Sequence, residues 1–425
     1  MRDLLLLLVI SGSLLVALRY PFAAVLLWAW FTLASPQQAA YTLSAYSLNT
    51  VIAIATLAVL ALHGELWRIK WRVLPLLLIA FAAWIGISQH FSLMPDWSMP
   101  YTDRFSKILL FVFLCAVTVT DRLRFQALLW MLVIVMGFFG LKGGLFTLMT
   151  FGQDLYWGLE RTILYDNNHI AIAMATSLPL LLYMADQTRH RIVRYVLLGV
   201  TVMTVIGIIG THSRGGFLSL LAFGGLYWLG SRRKILVGAL GALALLAALP
   251  TLPTDWTDRM ATIAEADEDA SFRARLEAWE INWLLARENP LTGAGLRVPY
   301  TDEAARLVSE HQPRAAHSVY FEVLGGTGFV GLALYLGIFG YGILSAHRLA
   351  RAKDEARKWM SAYGLAARNA LLVFAVGGAS VSMEMWEGYL IVIALVSAVT
   401  QMKTADADAA PAVRKGIFAD RAVTA

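Results

Sequence analysis

Cysteine is nearly missing from this chain, with one residue, Cys115, in 425. A lone cysteine excludes an internal disulfide and any cysteine-based metal cluster. Charge is scarce too: Asp, Glu, Lys and Arg make up 15% of the residues, where a soluble domain carries about a quarter. Alternating β-segments of about ten residues, the mark of a membrane barrel, are absent. So are HExxH, Walker A and GxSxG patterns in a context that suits them. The acids Asp166, Glu265, Asp267, Glu268 and Asp269 show no metal-ligand spacing, and 265–269 reads as a solvated surface run. No metal and no cofactor is expected.

What the chain does have is apolar residues, 58% of the total, in long unbroken blocks such as Val193 to Gly210 and 234–250. A bilayer core takes roughly 20 apolar residues per helix, and a span must satisfy its backbone internally. The pattern predicts an all-α polytopic transmembrane bundle. Candidate spans are 4–18, 21–36, 47–62, 73–90, 106–120, 126–148, 169–185, 193–211, 214–230, 234–250, 318–345, 364–382 and 387–402. The first two are short, so the count is twelve or thirteen. Met1 to Leu18 has the length of a signal peptide. It lacks a small-residue cleavage site and runs into a second apolar block, so it reads as a retained span.

Basic clusters fix an orientation. They lie at Arg68/Lys70/Arg72, Arg122/Arg124, Arg189/Arg191/Arg194, Arg232/Arg233/Lys234 and Arg348/Arg351/Lys353/Arg357/Lys358. All fall on one side of the predicted spans, and that side is expected to be cytoplasmic. The net charge of +6 is therefore a loop property and not a nucleic-acid signal. The opposite side receives 91–105, 149–168, the turn near Thr211–Arg214, the long segment 251–317, and the turn near Met383–Glu387. Segment 251–317 holds seven Arg and no Lys against 12 Asp and Glu. Arginine binds phosphate as a planar fork, lysine as a point charge. The organisation expected is an N-terminal membrane region, 1–150, a catalytic region, 151–402, that includes loop 251–317, and a disordered cytoplasmic tail, 403–425.

Three residues on the external side could carry chemistry. Arg214, in Thr211–Gly216, stands at the outer end of two spans with almost no loop between them. There a helix start offers free N–H groups to an anion, although an arginine that snorkels to headgroups is the plainer account. Arg275 and Trp279 share a face, at i and i+4, of an amphipathic helix that begins near Ser271 and ends before Asn289–Pro290. An ordinary surface ion pair with Glu would also explain Arg275. His317 sits at the mouth of a long span rich in glycine at 325, 326, 328 and 331, a composition that lets a helix pack tightly. A neutral histidine can accept a proton from a hydroxyl, or it can merely cap a span. Asn167, Asn168 and His169, with Arg161 before them, could hold a sugar or phosphate oxygen or cap a helix. His212 and Tyr320 stand beside the first and third candidates. Pro290–Gly295 reads as a turn.

Taken in order, His-Ser-Arg-Gly-Gly at 212–216, Arg-x-x-x-Trp at 275–279, Pro-x-x-Gly-x-Gly at 290–295 and His-Ser-x-Tyr with its glycines at 317–331 resemble the O-antigen ligase and polymerase superfamily of bacterial envelopes. The resemblance covers residues 165–400. Arg19–Phe22, Trp28–Trp30, Tyr101–Lys107 and Phe139–Gly144 are similar to the O-glycosylation ligases that accompany exosortase systems. The family implies a multi-pass protein of the bacterial inner membrane with its active site facing the periplasm. It implies a glycan donor on undecaprenyl pyrophosphate and a glycan, lipid or protein hydroxyl as acceptor. Transfer would be metal-independent and inverting. Arg214 and Arg275 would meet the diphosphate, and His317 would act as base. Arg161, Asn167, Asn168, His169, His212, Trp279 and Tyr320 would contact substrate, and gaps between spans would hold the polyprenyl chain. A polymerase would use the same residues. A transporter or flippase of lipid-linked glycans is the rival of another class, but it would place its ionisable residues at mid-membrane.

Overall fold

The computed structural model describes residues 1–69, 71–231, 234–235, 238, 270–352 and 358–402. Among them are 14 α-helices and no strand. They are α1 (Arg2–Ala17), α2 (Phe22–Ala34), α3 (Leu48–Leu62), α4 (Val73–His90), α5 (Pro95–Thr118), α6 (Arg122–Met149) and α7 (Asn167–Gln187). The rest are α8 (Arg191–Gly210), α9 (Arg214–Gly230), α10 (Ala270–Glu288), α11 (Asp302–Ala305), α12 (Val319–Ala350), α13 (Lys358–Gly378) and α14 (Glu387–Val399). The chain is a multi-pass helix bundle, as its apolar blocks predict. All of the predicted span 234–250 except 234–235 and 238, the acidic run 265–269 and the tail 403–425 lie outside the described residues.

Among the described residues, six helices are long and apolar enough to cross a membrane: α4, α6, α7, α8, α12 and α13. Helices α2, α3 and α14 are apolar but of 13, 15 and 13 residues. At 1.5 Å per residue, α14 reaches only about 20 Å, short of a hydrocarbon core of about 30 Å. It is buried at every position, so its surroundings are protein rather than lipid. Helix α5 departs from the predicted 106–120. It starts at Pro95 and carries Asp96, Asp103, Arg104 and Lys107 among its first thirteen residues, so polarity hid a helix that the backbone continues. The expected loop 91–105 shrinks to 91–94.

Helix α7 lies at the centre, with 83% of its apolar window buried, whereas α8 is peripheral at 28%. Helices α6 and α8 meet through small residues. A Cβ on Gly140 would lie 2.0 Å from Thr204 Oγ1, and one on Gly210 would lie 1.8 Å from Thr147 Oγ1. Close backbone approach of this kind drives helix association where lipid supplies no hydrophobic contrast.

Helix α12 is broken at Gly328, where φ is 71° and ψ −174°. Segment 290–296 fills the break. Ala294 N–H donates to Gly325 O (2.8 Å), Gly295 N–H to Gly326 O (3.1 Å) and Phe329 N–H to Pro290 O (2.9 Å). The Pro290–Gly295 turn expected from sequence is thus an insertion that satisfies a broken helix. The glycines at 325 and 328 pack tightly as expected, with Asn282 of α10 and Leu291 against them.

Candidate functional site

Helix starts converge at one end of the bundle. Asp166 caps α7, accepting from Asn168 N–H at 2.8 Å and His169 N–H at 3.3 Å. Ser213 caps α9, accepting from Gly216 N–H at 2.9 Å, and donates its hydroxyl proton to Asn168 Oδ1 at 2.7 Å. Asn167 Nδ2 donates to Thr211 O at 2.8 Å. These bonds stitch the two helix starts together and leave Arg214 as the first residue of α9. A Cβ on Gly215 would lie 2.2 Å from Ser380 Oγ, so the same helix start rests on the α13–α14 turn.

That turn also holds His317. Ser382 Oγ accepts the His317 backbone N–H at 3.1 Å and donates to Glu322 Oε1 at 2.5 Å. His317 itself adopts a left-handed backbone, with φ 46°, a conformation that costs a non-glycine residue energy and needs such support. From the other side, Trp279 of α10 donates its indole N–H to Ala316 O at 2.7 Å and stacks on Phe321 at 5.0 Å. Arg275 lies one turn before Trp279 on the same helix.

The His317 imidazole is half-buried, and its Nδ1 is buried without a hydrogen-bond partner. Burial holds its pKa below the ordinary 6.5, and the Arg275 charge pushes the same way. Asp166 and Glu322 pull against these, while His169 adds to them. The imidazole is therefore neutral near pH 7, the state in which it can take up a proton. Arg275, Asp166 and His169 are thus its electrostatic neighbours.

Beneath His317 lies a buried charge cluster that sequence reasoning missed. Arg297 Nη2 donates to Glu384 Oε1 at 2.7 Å, and Nη1 stands 3.6 Å from Glu322 Oε2. The Arg297 guanidinium also donates to the Tyr300 hydroxyl, and Tyr300 in turn to Glu322. Glu322 Oε1 accepts Ala316 N–H at 3.0 Å as well. Burial works to lower the Arg297 pKa, but Glu384 and Glu322 outweigh it, and the guanidinium stays charged. Burial pushes the Glu384 carboxyl upward against the pull of Arg297, as expected of two carboxylates sharing one cation. The signal available in the sequence was Glu384 itself, an acid inside an apolar turn beside a span.

The remaining expected site residues are spread. Tyr320 donates its hydroxyl to Ala375 O at 2.8 Å, a helix-to-helix bond. Trp279 is engaged by Phe321 and Ala316, which makes it a positioning residue for the His317 segment. His212 has a left-handed backbone and places Nε2 3.0 Å from Gly152 O. His169 Nδ1 is 2.7 Å from Ile163 O. Arg161 is exposed and lines a separate cavity. Among the described residues, no group of three or more His, Cys, Asp and Glu side chains is placed to hold a metal ion.

Two family models match the chain. One, described as O-antigen ligase, matches residues 198–336, and the other, a family of unknown function (DUF5935), matches residues 1–220. No curated protein matches. The chain belongs to the DUF5935 family and, through the ligase region, to the O-antigen ligase and polymerase superfamily of membrane glycosyltransferases.

Proposed function

We propose that the chain moves a glycan from undecaprenyl pyrophosphate to an acceptor hydroxyl at the periplasmic face of the bacterial inner membrane. The acceptor oxygen attacks the anomeric carbon as the bond from that carbon to the phosphate oxygen breaks. Undecaprenyl pyrophosphate departs, and the configuration at carbon inverts. His317 takes the hydroxyl proton. Arg214 and Arg275 neutralise the charge that grows on the leaving diphosphate, and no metal takes part. The observation that supports this reading is the His317 imidazole, whose buried Nδ1 bonds to nothing and whose pKa is held down by burial and by the Arg275 charge. A base must lack a proton, and a diphosphate needs fixed positive charge.

The ligase reading is favoured over polymerisation by the likeness of the N-terminal half to exosortase-associated ligases. The test is glycan transfer by purified protein in detergent, where no sealed membrane exists. Wild type transfers, which a transporter cannot do, and Arg214→Ala, Arg275→Ala and His317→Ala each abolish transfer while the protein stays inserted and abundant. Full activity in His317→Ala would sink the base assignment.

A further inference from the structure

A cavity of about 280 Å³ with mixed polar and apolar walls opens between α2, α3, α5, the 159–164 segment and the start of α14. Its walls include Gln37, Gln38, Asn49, Arg104, Arg161, Trp386 and Glu387. Eight buried side-chain atoms in the described residues have no hydrogen-bond partner, and four of them belong to these walls: Gln37 Oε1, Gln38 Oε1, Asn49 Oδ1 and Trp386 Nε1. Native proteins leave few such groups unpaired, and a cluster of them calls for a ligand or ordered water. Trp386 is only 2% exposed, so its indole N–H has no bulk solvent to turn to.

The chemistry of the walls selects the occupant. Amides donate and accept, guanidiniums donate, and carboxylates accept. Both signs of charge are present, which disfavours a simple anion, and the unpaired amide and indole groups set among apolar walls disfavour a lipid tail. A ring of hydroxyls needs donors and acceptors at several points around an aromatic surface. The volume lies at the lower limit of small-molecule sites, about 300 Å³, which suits one sugar ring rather than a chain of them.

Two wall segments run on into the candidate site. Ile163 O meets His169 Nδ1, and Trp386 and Glu387 follow Glu384, the partner of Arg297.

We infer that this cavity is a saccharide subsite that takes one sugar ring of a transfer substrate. The inference rests on the glycan-transfer reading for its role, but the binding itself can be measured without transfer.

The test uses full-length protein in detergent micelles with free glucose, N-acetylglucosamine and galacturonic acid as probes, read by saturation-transfer NMR. Wild type gives a signal with at least one probe. Asn49→Leu weakens that binding about tenfold, and so does Arg161→Gly, an exposed position with a left-handed backbone that glycine tolerates. His317→Ala keeps the signal although transfer is lost, so failure of the transfer mechanism and failure of the subsite are told apart. In the transfer assay, a KM rise of about tenfold confined to the lipid-linked donor assigns the sugar to the donor, and one confined to the acceptor assigns it to the acceptor. No signal in wild type, undiminished binding in both variants, or unchanged KM for both substrates would overturn the inference and leave a water-filled packing gap.

Discussion

Replacing Arg297 by methionine tests the buried cluster that underlies His317. The Arg297 side chain is 13% exposed, with Glu322 at 3% and Glu384 at 2%. Methionine keeps most of the volume, so the loss is electrostatic rather than a cavity. Two carboxyl groups would then face one another with no cation between them, and removing one partner of a buried pair costs about 3–5 kcal/mol. In a thermal melt followed by tryptophan fluorescence, a loss of that size lowers the midpoint by on the order of 5–10 °C for a large domain. Glu384→Gln is the contrasting variant. Burial already pushes that carboxyl toward its protonated form, and glutamine has nearly the same shape. Glu322 still faces the cation and the amide oxygen can still accept from Arg297, so its cost should fall below that of Arg297→Met. Transfer should fall in Arg297→Met as well, because Ser382, bonded to Glu322, fixes the His317 backbone. The reasoning fails if Arg297→Met melts with wild type, or if Glu384→Gln falls as far as Arg297→Met.

Three further outcomes are expected. The His317 pKa lies below 6.5, so transfer needs the neutral form, holds above that value, and is lost as pH falls through the folded pKa. Because Arg275 is one cause of the depression, an NMR titration of the His317 ring should show its pKa moved upward in Arg275→Ala, and a pKa that stays put would remove Arg275 from the neighbourhood of His317. Trp279→Phe keeps the stack on Phe321 but loses the bond to Ala316 O. It should cut kcat about tenfold with little change in expression, and wild-type kinetics would show that this bond does not position His317. Gly293→Ala should abolish accumulation of folded protein. Gly293 has φ +68° and a Cβ there would meet Gly328 N at 2.5 Å, so a well-folded alanine variant seen by size exclusion would contradict the packing of the insertion.

The bundle was legible because hydrocarbon imposes a simple rule: an apolar block long enough to cross must be a helix. Helix α10 was legible as well, since its amphipathic pattern stops where Asn289–Pro290 ends it. The polar N-terminal part of α5 was not, because Asp103, Arg104 and Lys107 look like loop residues until Asp103 and Lys107 pair at 2.6 Å one turn apart. At the candidate site, Arg214, Arg275 and His317 stood out in the sequence as ionisable groups on the expected external side. The Arg297–Glu322–Glu384 cluster did not, because its members are 25 and 62 residues apart in sequence from Arg297 to Glu322 and from Glu322 to Glu384. Only the fold brings the α12 start, the 290–300 segment and the α13–α14 turn to one place. The break at Gly328 was hidden for a similar reason: a glycine-rich helix that packs tightly and one that opens to admit another segment have the same composition.

The two family matches, residues 1–220 and 198–336, do not describe two separable parts. A broken helix and tight glycine turns leave backbone carbonyl groups without helical partners, and those groups must be paired where water is excluded. The α4–α5 corner of the N-terminal half supplies the donors. Trp84 Nε1 donates to Thr327 O at 3.0 Å, Ser88 Oγ to Thr292 O at 2.6 Å, Leu93 N–H to Ala294 O at 2.9 Å and Trp97 Nε1 to Arg297 O at 3.0 Å. Each accepting carbonyl belongs to the insertion, to the residue that anchors the charge cluster, or to the break itself. The ligase-like region thus depends on its partner half for the shape of the loop beneath His317. Residues of α4 and α5 that touch no charged site group still set where that group can stand.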